Sequence, residues 1–510
     1  MSHLNEFRIL VRSHGSGLAS GFYRKPGFLR FSTVAKPAVR ETPVAAPPCP
    51  GCRERDARIA ELQQQLAALQ ALNRKLGESA RRNASNSSMP PSTNPPDAPK
   101  PTTKKPTGRK RGGQPGHPGH TRVRLPPERV QYTIPFLPLY CEHCEKALPE
   151  TAGPNDPEPT WHQYAELPKA AAIVTEYQGH ARTCTCCGHV SRAQIPEELR
   201  SQCIGPRLGA TLSYLSGSPH VSKRGIEEIC ETVFQVPISL GTIGNLEQEM
   251  SAALQPAHAA AQQAVQEAPI KHVDETGWKE AGAKRWLWGA ATATVVCFVI
   301  HGTRGLKGLH ALLAGKLKGL FVSDRWSVYQ CLSVARRQIC WAHLKRDFQK
   351  LVDRGGPSQS IGERGLDVVR VLFEAWHAFR CGQLSRPKLQ NKLEPTRMAL
   401  RLLLEEGTRC PESKTANFCQ NLLNLERALW TFLYRPGVEP TNNLIERLVR
   451  SAVLWRKIAF GSQSAAGCRF VERMLTVVGT LRLQKRPVLE FLEDSLRAHR
   501  DRHQLPKLIK

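Results

Sequence analysis

Residues 271–278 read KHVDETGW: two carboxylates, Asp274 and Glu275, stand side by side after a short apolar approach and are followed at once by a glycine and a tryptophan. Residues 270–273 read as the end of a strand, which puts Asp274 at that end. Residues 285–291 and 294–300 read as two more strands, with the glycine-containing turn HGTRG after them. The run LFVS, residues 320–323, has the character of a buried strand and delivers a second carboxylate, Asp324, at its own end. RQICWA, residues 337–342, is a further strand that leads into a basic helix beginning near His343. A long helical stretch, roughly 345–434, follows, and the turn RPGVEPTNN then opens a helix with Glu446 in its first turn. Strands interleaved with helices make this half of the chain an α/β domain.

Asp274, Asp324 and Glu446 are separated by 50 and 122 residues, so they meet only if their strands are neighbours in one sheet. Such a cluster repels itself unless cations sit in it. Oxygen ligands suit hard ions such as Mg²⁺ or Mn²⁺, and two ions about 3.5–4 Å apart stabilise both the attacking and the leaving oxygens of an in-line phosphoryl displacement. Each acid also has an ordinary reading. Asp274 or Glu275 could end a strand in a turn, and Asp324 could cap a helix. Glu446 has capping-box spacing from Asn443 and ion-pair spacing to Arg450. It is the joint placement of the three that favours a metal seat.

Why acid in so basic a chain? The 510 residues carry 72 Lys and Arg against 44 Asp and Glu, a formal charge of +28, which favours a polyanionic partner and points to nucleic acid. Arg447, Arg450, Arg456 and Lys457, close to Glu446, are candidates to hold backbone phosphates; the bland reading is a solvated helix face. The hydrophobic content of 40% suffices for at least one substantial core. The most apolar stretch, residues 289–300, falls well short of the roughly 20 residues a membrane helix needs. Sixteen cysteines without a secretory signal suggest a reducing compartment, where paired cysteines more often bind metal than form disulfides.

Working back toward the N-terminus, residues 201–262 turn helical, with Ser222 and Ser239 as caps and a tight turn before the third helix. This reads as a helix-turn-helix offering Thr242, Asn245 and Gln248 to DNA, or as an ordinary helical subdomain. Residues 131–200 hold two CxxC pairs, Cys141 with Cys144 and Cys184 with Cys187, able to grip one structural Zn²⁺ between two knuckles. Residues 83–130 are a Pro- and Gly-rich linker with a basic run that includes Arg109, Lys110 and Arg111, a candidate phosphate-tracking arm or a solvated charge run. Residues 49–82 carry Ile59, Leu62, Leu66, Leu69, Asn73 and Leu76 at alternating spacings of three and four, the seam of a short dimeric coiled coil. Residues 1–48 read as a basic, disordered extension.

Taken in order, the zipper, SNSSMPPS, RKRGGQPGHPGH, the CxxC pairs, GTIGN, VDETGW, CWAHLKRDF and PTNNLIERLVR resemble the DDE transposases of the insertion-sequence-66 family over about residues 49–492. The resemblance implies an RNase H-like catalytic core, residues 263–348 and 437–495, interrupted by a helical insertion at 349–436 and followed by a basic tail. It implies that Asp274, Asp324 and Glu446 are the DDE triad and hold two Mg²⁺ or Mn²⁺ ions, that a zinc-binding region and a helix-turn-helix recognise the element ends, and that Cys340 and His343 form a CxxH that supports the core. The implied reaction is cleavage at the terminal inverted repeats and strand transfer into target DNA. The implied setting is the bacterial cytoplasm, at the nucleoid, as a homodimer or larger assembly with room for accessory proteins. The chain departs from the family where many members have Gly-Tyr after the second aspartate; here Arg325-Trp326 stands. A non-catalytic DNA-binding regulator, or a nuclease without strand transfer, would use the same parts.

Overall fold

The computed structural model describes residues 50–80 and 124–509, apart from 152, 155, 169 and 201; the N-terminal extension, nearly all of the linker, and Arg109, Lys110 and Arg111 lie outside the described residues. The chain divides into two units, residues 1–81 and 82–510. In the first, α1 (Pro50–Ala80) is one continuous helix. Its seam residues Ile59, Leu62, Leu66 and Leu69 are 49–62% exposed, so the apolar stripe lies open along the helix.

The second unit opens with residues 124–180, where regular structure amounts to one 3₁₀ turn and an isolated bridge between Tyr140 and Ala147. A small hairpin of β1 (Ala181–Thr183) and β2 (Val190–Arg192) follows, then the short α2 (Glu197–Arg200). Next come α3 (Pro206–Gly217), α4 (Lys223–Thr232) and α5 (Leu240–Glu267). Both expected caps form: Ser222 Oγ accepts from Gly225 N at 3.1 Å, and Ser239 Oγ from Thr242 N at 3.2 Å. α3, α4 and the first two turns of α5 share a small core of Leu212, Ile226, Cys230, Ile243 and Leu246. Farther along, Met250, Leu254, Ala261 and Val265 of the same α5 enter the main core, so one helix runs without interruption from the three-helix cluster into the α/β domain.

The α/β domain is a mixed five-stranded sheet in the order β5-β4-β3-β6-β7. Its strands are β3 (Ile270–Glu280), β4 (Ala283–Ala291), β5 (Val296–His301), β6 (Leu320–Ser323) and β7 (Arg337–Ile339). β3, β4 and β5 are antiparallel, whereas β6 and β7 run parallel to β3. Two features differ from the reading of the sequence. β3 does not end at Asp274 but continues for six more residues, because β4 pairs with it from His272↔Ala291 to Glu280↔Ala283. The two strands join through Ala281 and Gly282, both at positive φ, which suits a tight hairpin. In turn, β7 stops at Ile339 and a helix begins at Trp341, since an apolar run as short as ICWA fits a buried strand and a buried helix equally well.

Between β5 and β6 lies α6 (Leu306–Leu313), and after β7 come α7 (Trp341–Arg354), α8 (Pro357–Arg380), α9 (Arg386–Gly407), α10 (Ser413–Asn424), α11 (Glu426–Leu429) and α12 (Thr431–Tyr434). The helices α7 to α12 build a core of their own against Val322 of β6 and Ile339 of β7. The chain then returns to the sheet as α13 (Asn443–Ala459), α14 (Ala465–Leu483) and α15 (Val488–Arg500), which pack with α5 and α6 around β3, β4 and β5. Among the described residues, no helix is long and apolar enough to cross a membrane.

Candidate active site

β3 and β6 pair in parallel with Ile270↔Leu320, Lys271↔Phe321 and His272↔Val322, a constant offset of 50 residues. Asp274 and Asp324 are separated by the same offset. Continuing the register two residues beyond the last pair brings Asp324, just past the end of β6, level with Asp274, and the charge of Asp324 bears on Asp274. β6 ends at Ser323 and its chain turns away, so the two acids stand where the parallel pairing stops. The third carboxylate arrives from α13, with Glu446 in the first turn.

The sequence provides for this approach at Gly289, the cross-strand partner of Asp274. A Cβ there would come within 3.0 Å of Ile445 Cδ1 and closer still to the Phe298 ring. Glycine thus lets Ile445 seat on the strand and carries Glu446 to the acids. Asn442, the residue before α13, locks that seat. Its amide Nδ2 donates to Val273 O at 2.7 Å, its Oδ1 lies 3.1 Å from His272 Nδ1, and its backbone N donates to Cys340 Sγ at 3.2 Å. The capping-box alternative for Glu446 does not form, because the cap residue is Asn442 and its side chain is engaged by β3.

The charges of the neighbouring acids bear on Asp274. Asp274 is half-buried, and its carboxyl is pushed well above the usual carboxylate range by desolvation, then by the charges of Glu275, Asp324 and Glu446. Asp274 Oδ1 accepts from Glu275 N at 2.9 Å, which pulls the other way. Glu275 points to the opposite face and does a different job. Its carboxylate takes Arg304 Nη2 at 2.9 Å and Tyr329 Oη at 2.7 Å. Arg304 in turn stacks over Trp326, 3.9 Å from the ring centroid, and Trp326 N donates to Asp324 Oδ1 at 2.8 Å. Glu275, Tyr329, Arg304 and Trp326 therefore fix the loop that holds Asp324, a role sequence reasoning missed because its parts are 29 to 54 residues apart. Arg325 explains the departure at 325–326. It pairs with Asp347 of α7 at 2.6 Å and lies over Phe418 of α10, tying the second acid's loop to the inserted helices.

Cys340 and His343 flank Glu446. Cys340 Sγ lies 3.8 Å and His343 Nδ1 3.4 Å from Glu446 Oε1, and burial lowers the His343 pKa, keeping the imidazole neutral near pH 7. Among the described residues, these three are the group of metal-ligating side chains whose ligand atoms all fall within 4.8 Å of one another. The ligand oxygens of Asp274, Asp324 and Glu446 do not all lie within that distance of one another.

Of the basic candidates, Arg447, Arg450 and Lys457 follow helical spacing along the exposed face of α13. Arg456 instead turns inward to donate to Gly277 O and sits 3.4 Å from Thr276 Oγ1. On α5, Asn245 and Gln248 are exposed, while Thr242 is half-buried with its hydroxyl 3.0 Å from Ser239 Oγ. The two cysteine pairs form matching knuckles. In each, the first cysteine's N donates to the carbonyl five residues on, and its own carbonyl accepts from the residue four on: Lys146 and Glu145 in one, His189 and Gly188 in the other. Backbone N–H groups lower both lead thiols, chiefly Cys144's for Cys141 and Cys187's for Cys184. Each knuckle suits a metal ion, but the four thiols are not gathered into a single cluster.

Residues 202–469, more than half of the chain, match the family model described as Transposase IS66 family, and residues 46–123 match a family of unknown function, DUF6444. An uncharacterized protein of Sinorhizobium fredii, y4qI, is 26% identical over 239 residues, 42% of this chain and 43% of that protein. The chain thus covers less than half the length of that relative. The family match encloses Asp274, Asp324 and Glu446 and stops short of both cysteine knuckles.

Proposed function

The chain belongs to the Transposase IS66 family, and on that premise we propose that it is a DDE transposase that cleaves DNA at insertion-sequence ends and joins the freed ends to target DNA. The observation that carries this is the shared 50-residue offset that sets Asp274 beside Asp324, with Glu446 brought to them by α13. The order β5-β4-β3-β6-β7, three antiparallel strands followed by two parallel ones, supports an RNase H-like core, with α8–α12 as its insertion.

The donor set suits hard ions: three carboxylates, of which Asp274 is held above the usual range by desolvation and then by the charges beside it. Asp274, Asp324 and Glu446 would hold two Mg²⁺ or Mn²⁺ ions, which supply Lewis-acid stabilisation to the oxygens of a phosphodiester. The chain's own side chains bind and orient. Arg447, Arg450 and Lys457 hold backbone phosphates alongside Glu446, and the Arg304–Trp326 stack keeps Asp324 in place. Water hydrolyses the phosphodiester at the element end, and the 3′ hydroxyl released attacks a phosphodiester of the target, so no protein nucleophile is needed.

The remaining modules serve recognition in this reading. Asn245, Gln248 and Thr242 at the start of α5 meet the element ends as part of a helix-turn-helix. Cys141, Cys144, Cys184 and Cys187 bind one structural Zn²⁺ that draws their knuckles together, and α1 pairs with a second copy. The test uses duplexes copied from the inverted repeats flanking the gene, with Mg²⁺ or Mn²⁺ and a target plasmid. Wild type should cleave and join, and Asp324→Asn should bind but do neither. Binding without cleavage by both proteins would favour a regulator; cleavage without joining would favour a nuclease.

A further inference from the structure

Cys340 is the residue immediately before α7 and His343 lies within its first turn, so their side chains project to one side, one helical turn apart. Against them stands Glu446 from the first turn of α13. Three different ligand types, a thiol sulfur, an imidazole nitrogen and a carboxylate oxygen, thus converge from two helix starts with all their ligand atoms within 4.8 Å. His343 Nδ1 is buried and has no hydrogen-bond partner in the structure, yet lies 3.4 Å from Glu446 Oε1. A buried ring nitrogen is rarely left unpaired without cause.

The spacing suits a specific class of ion. A tetrahedral zinc with bonds of about 2.05 Å to nitrogen, about 2.0 Å to oxygen and about 2.3 Å to sulfur needs an N···O edge of about 3.3 Å and an S···O edge of about 3.5 Å. The observed edges are 3.4 and 3.8 Å. The backbone N–H of Asn442 donates to Cys340 Sγ at 3.2 Å. The His343 and Glu446 side chains are 26% and 30% exposed, which leaves a fourth position open to water.

We infer that Cys340, His343 and Glu446 form a second divalent-ion site, one that selects zinc, and that Glu446 is shared between it and the carboxylate seat. Mg²⁺ has little affinity for sulfur, so the two sites sort ions by softness. On binding, a zinc–sulfur bond forms and the Cys340 thiol releases its proton to solvent. The binding does not depend on catalysis. Its consequence, that excess zinc withdraws Glu446 and antagonises Mg²⁺-supported cleavage, rests on the transposase reading.

The experiment uses the full chain, stripped of metal, carrying Cys141→Ser and Cys184→Ser to remove the knuckle background. Zn²⁺ is titrated for stoichiometry, and Co²⁺ as a probe whose thiolate charge-transfer band reports sulfur ligation. One ion equivalent and that band should persist in the background protein. Cys340→Ser should abolish the band, and His343→Gln should weaken zinc binding about tenfold or more while circular dichroism stays unchanged. If Cys340→Ser misfolds, His343→Gln decides alone. Stoichiometry, affinity and spectrum unchanged in the folded variants would overturn the site. A wild-type protein that fails to cleave DNA but passes this titration would sink the transposase reading and leave the ion site standing.

Discussion

Asp274 shows how much of a carboxylate's behaviour is set by what the fold places around it. Its folded pKa lies above the unfolded value, so the native state holds the proton more tightly than the unfolded chain does. Stability is therefore lost as pH rises from the unfolded carboxylate value, about 3.9, through the raised folded value. Without added Mg²⁺ or Mn²⁺, Asp274→Asn should be more stable than wild type at pH 7, by on the order of 1 kcal/mol, and this gap should close as the pH falls toward 4. Urea unfolding at several pH values checks it; a gap independent of pH would refute the account. Asn442→Ala makes the opposite case. It takes the amide away from buried His272 Nδ1 and removes a donor to Val273 O, and should cost about 2–4 kcal/mol, with Glu446 displaced and activity lost as well. Spacing along the chain singled out the three acids as candidates, although Asp274 lies within β3 and not at its end. Asn442 and Glu275 were not legible in this way, because an asparagine in a turn and a second acid in a pair acquire meaning only from partners distant in sequence.

Among the elements, α13 joins chemistry to packing. Its buried face carries Ile445, Val449 and Ala452 into the core, and its exposed face carries Arg447 and Arg450. Gly289→Val should lift α13 off β4, through contact with Ile445 and Phe298, and reduce cleavage while leaving DNA binding by the rest of the chain intact. Gel-shift and cleavage assays on one preparation would separate the two effects. Arg447→Ala with Arg450→Ala should weaken DNA binding across sequences and lower the slope of log affinity against log salt by about 2. An unchanged slope would place these side chains off the DNA. Strand β3 marks a limit of sequence reading at this scale. The residues after Asp274, Glu-Thr-Gly-Trp-Lys-Glu, look like the exit from a strand, and only pairing with β4 keeps them extended.

Among the described residues, two regions expose apolar surface. Removing residues 1–80 should convert a dimer into a monomer in light-scattering measurements, if the stripe of α1 is a helix-pairing seam. In residues 124–200, Phe136 is 93% and Ile173 98% exposed. Chelating zinc should make this segment more sensitive to limited proteolysis while the α/β domain resists. The sequence by itself determined the α/β character and the caps of α4 and α5, and it singled out Asp274, Asp324 and Glu446 as candidates, because these depend on local periodicity, residue type and spacing along the chain. Tertiary structure alone decided that Asp274 lies within a strand, that Arg456 turns inward while Arg447 and Arg450 face solvent, and that Cys340 and His343 meet Glu446. Those outcomes depend on strand register and helix docking, where one contact selects among local conformations of similar energy.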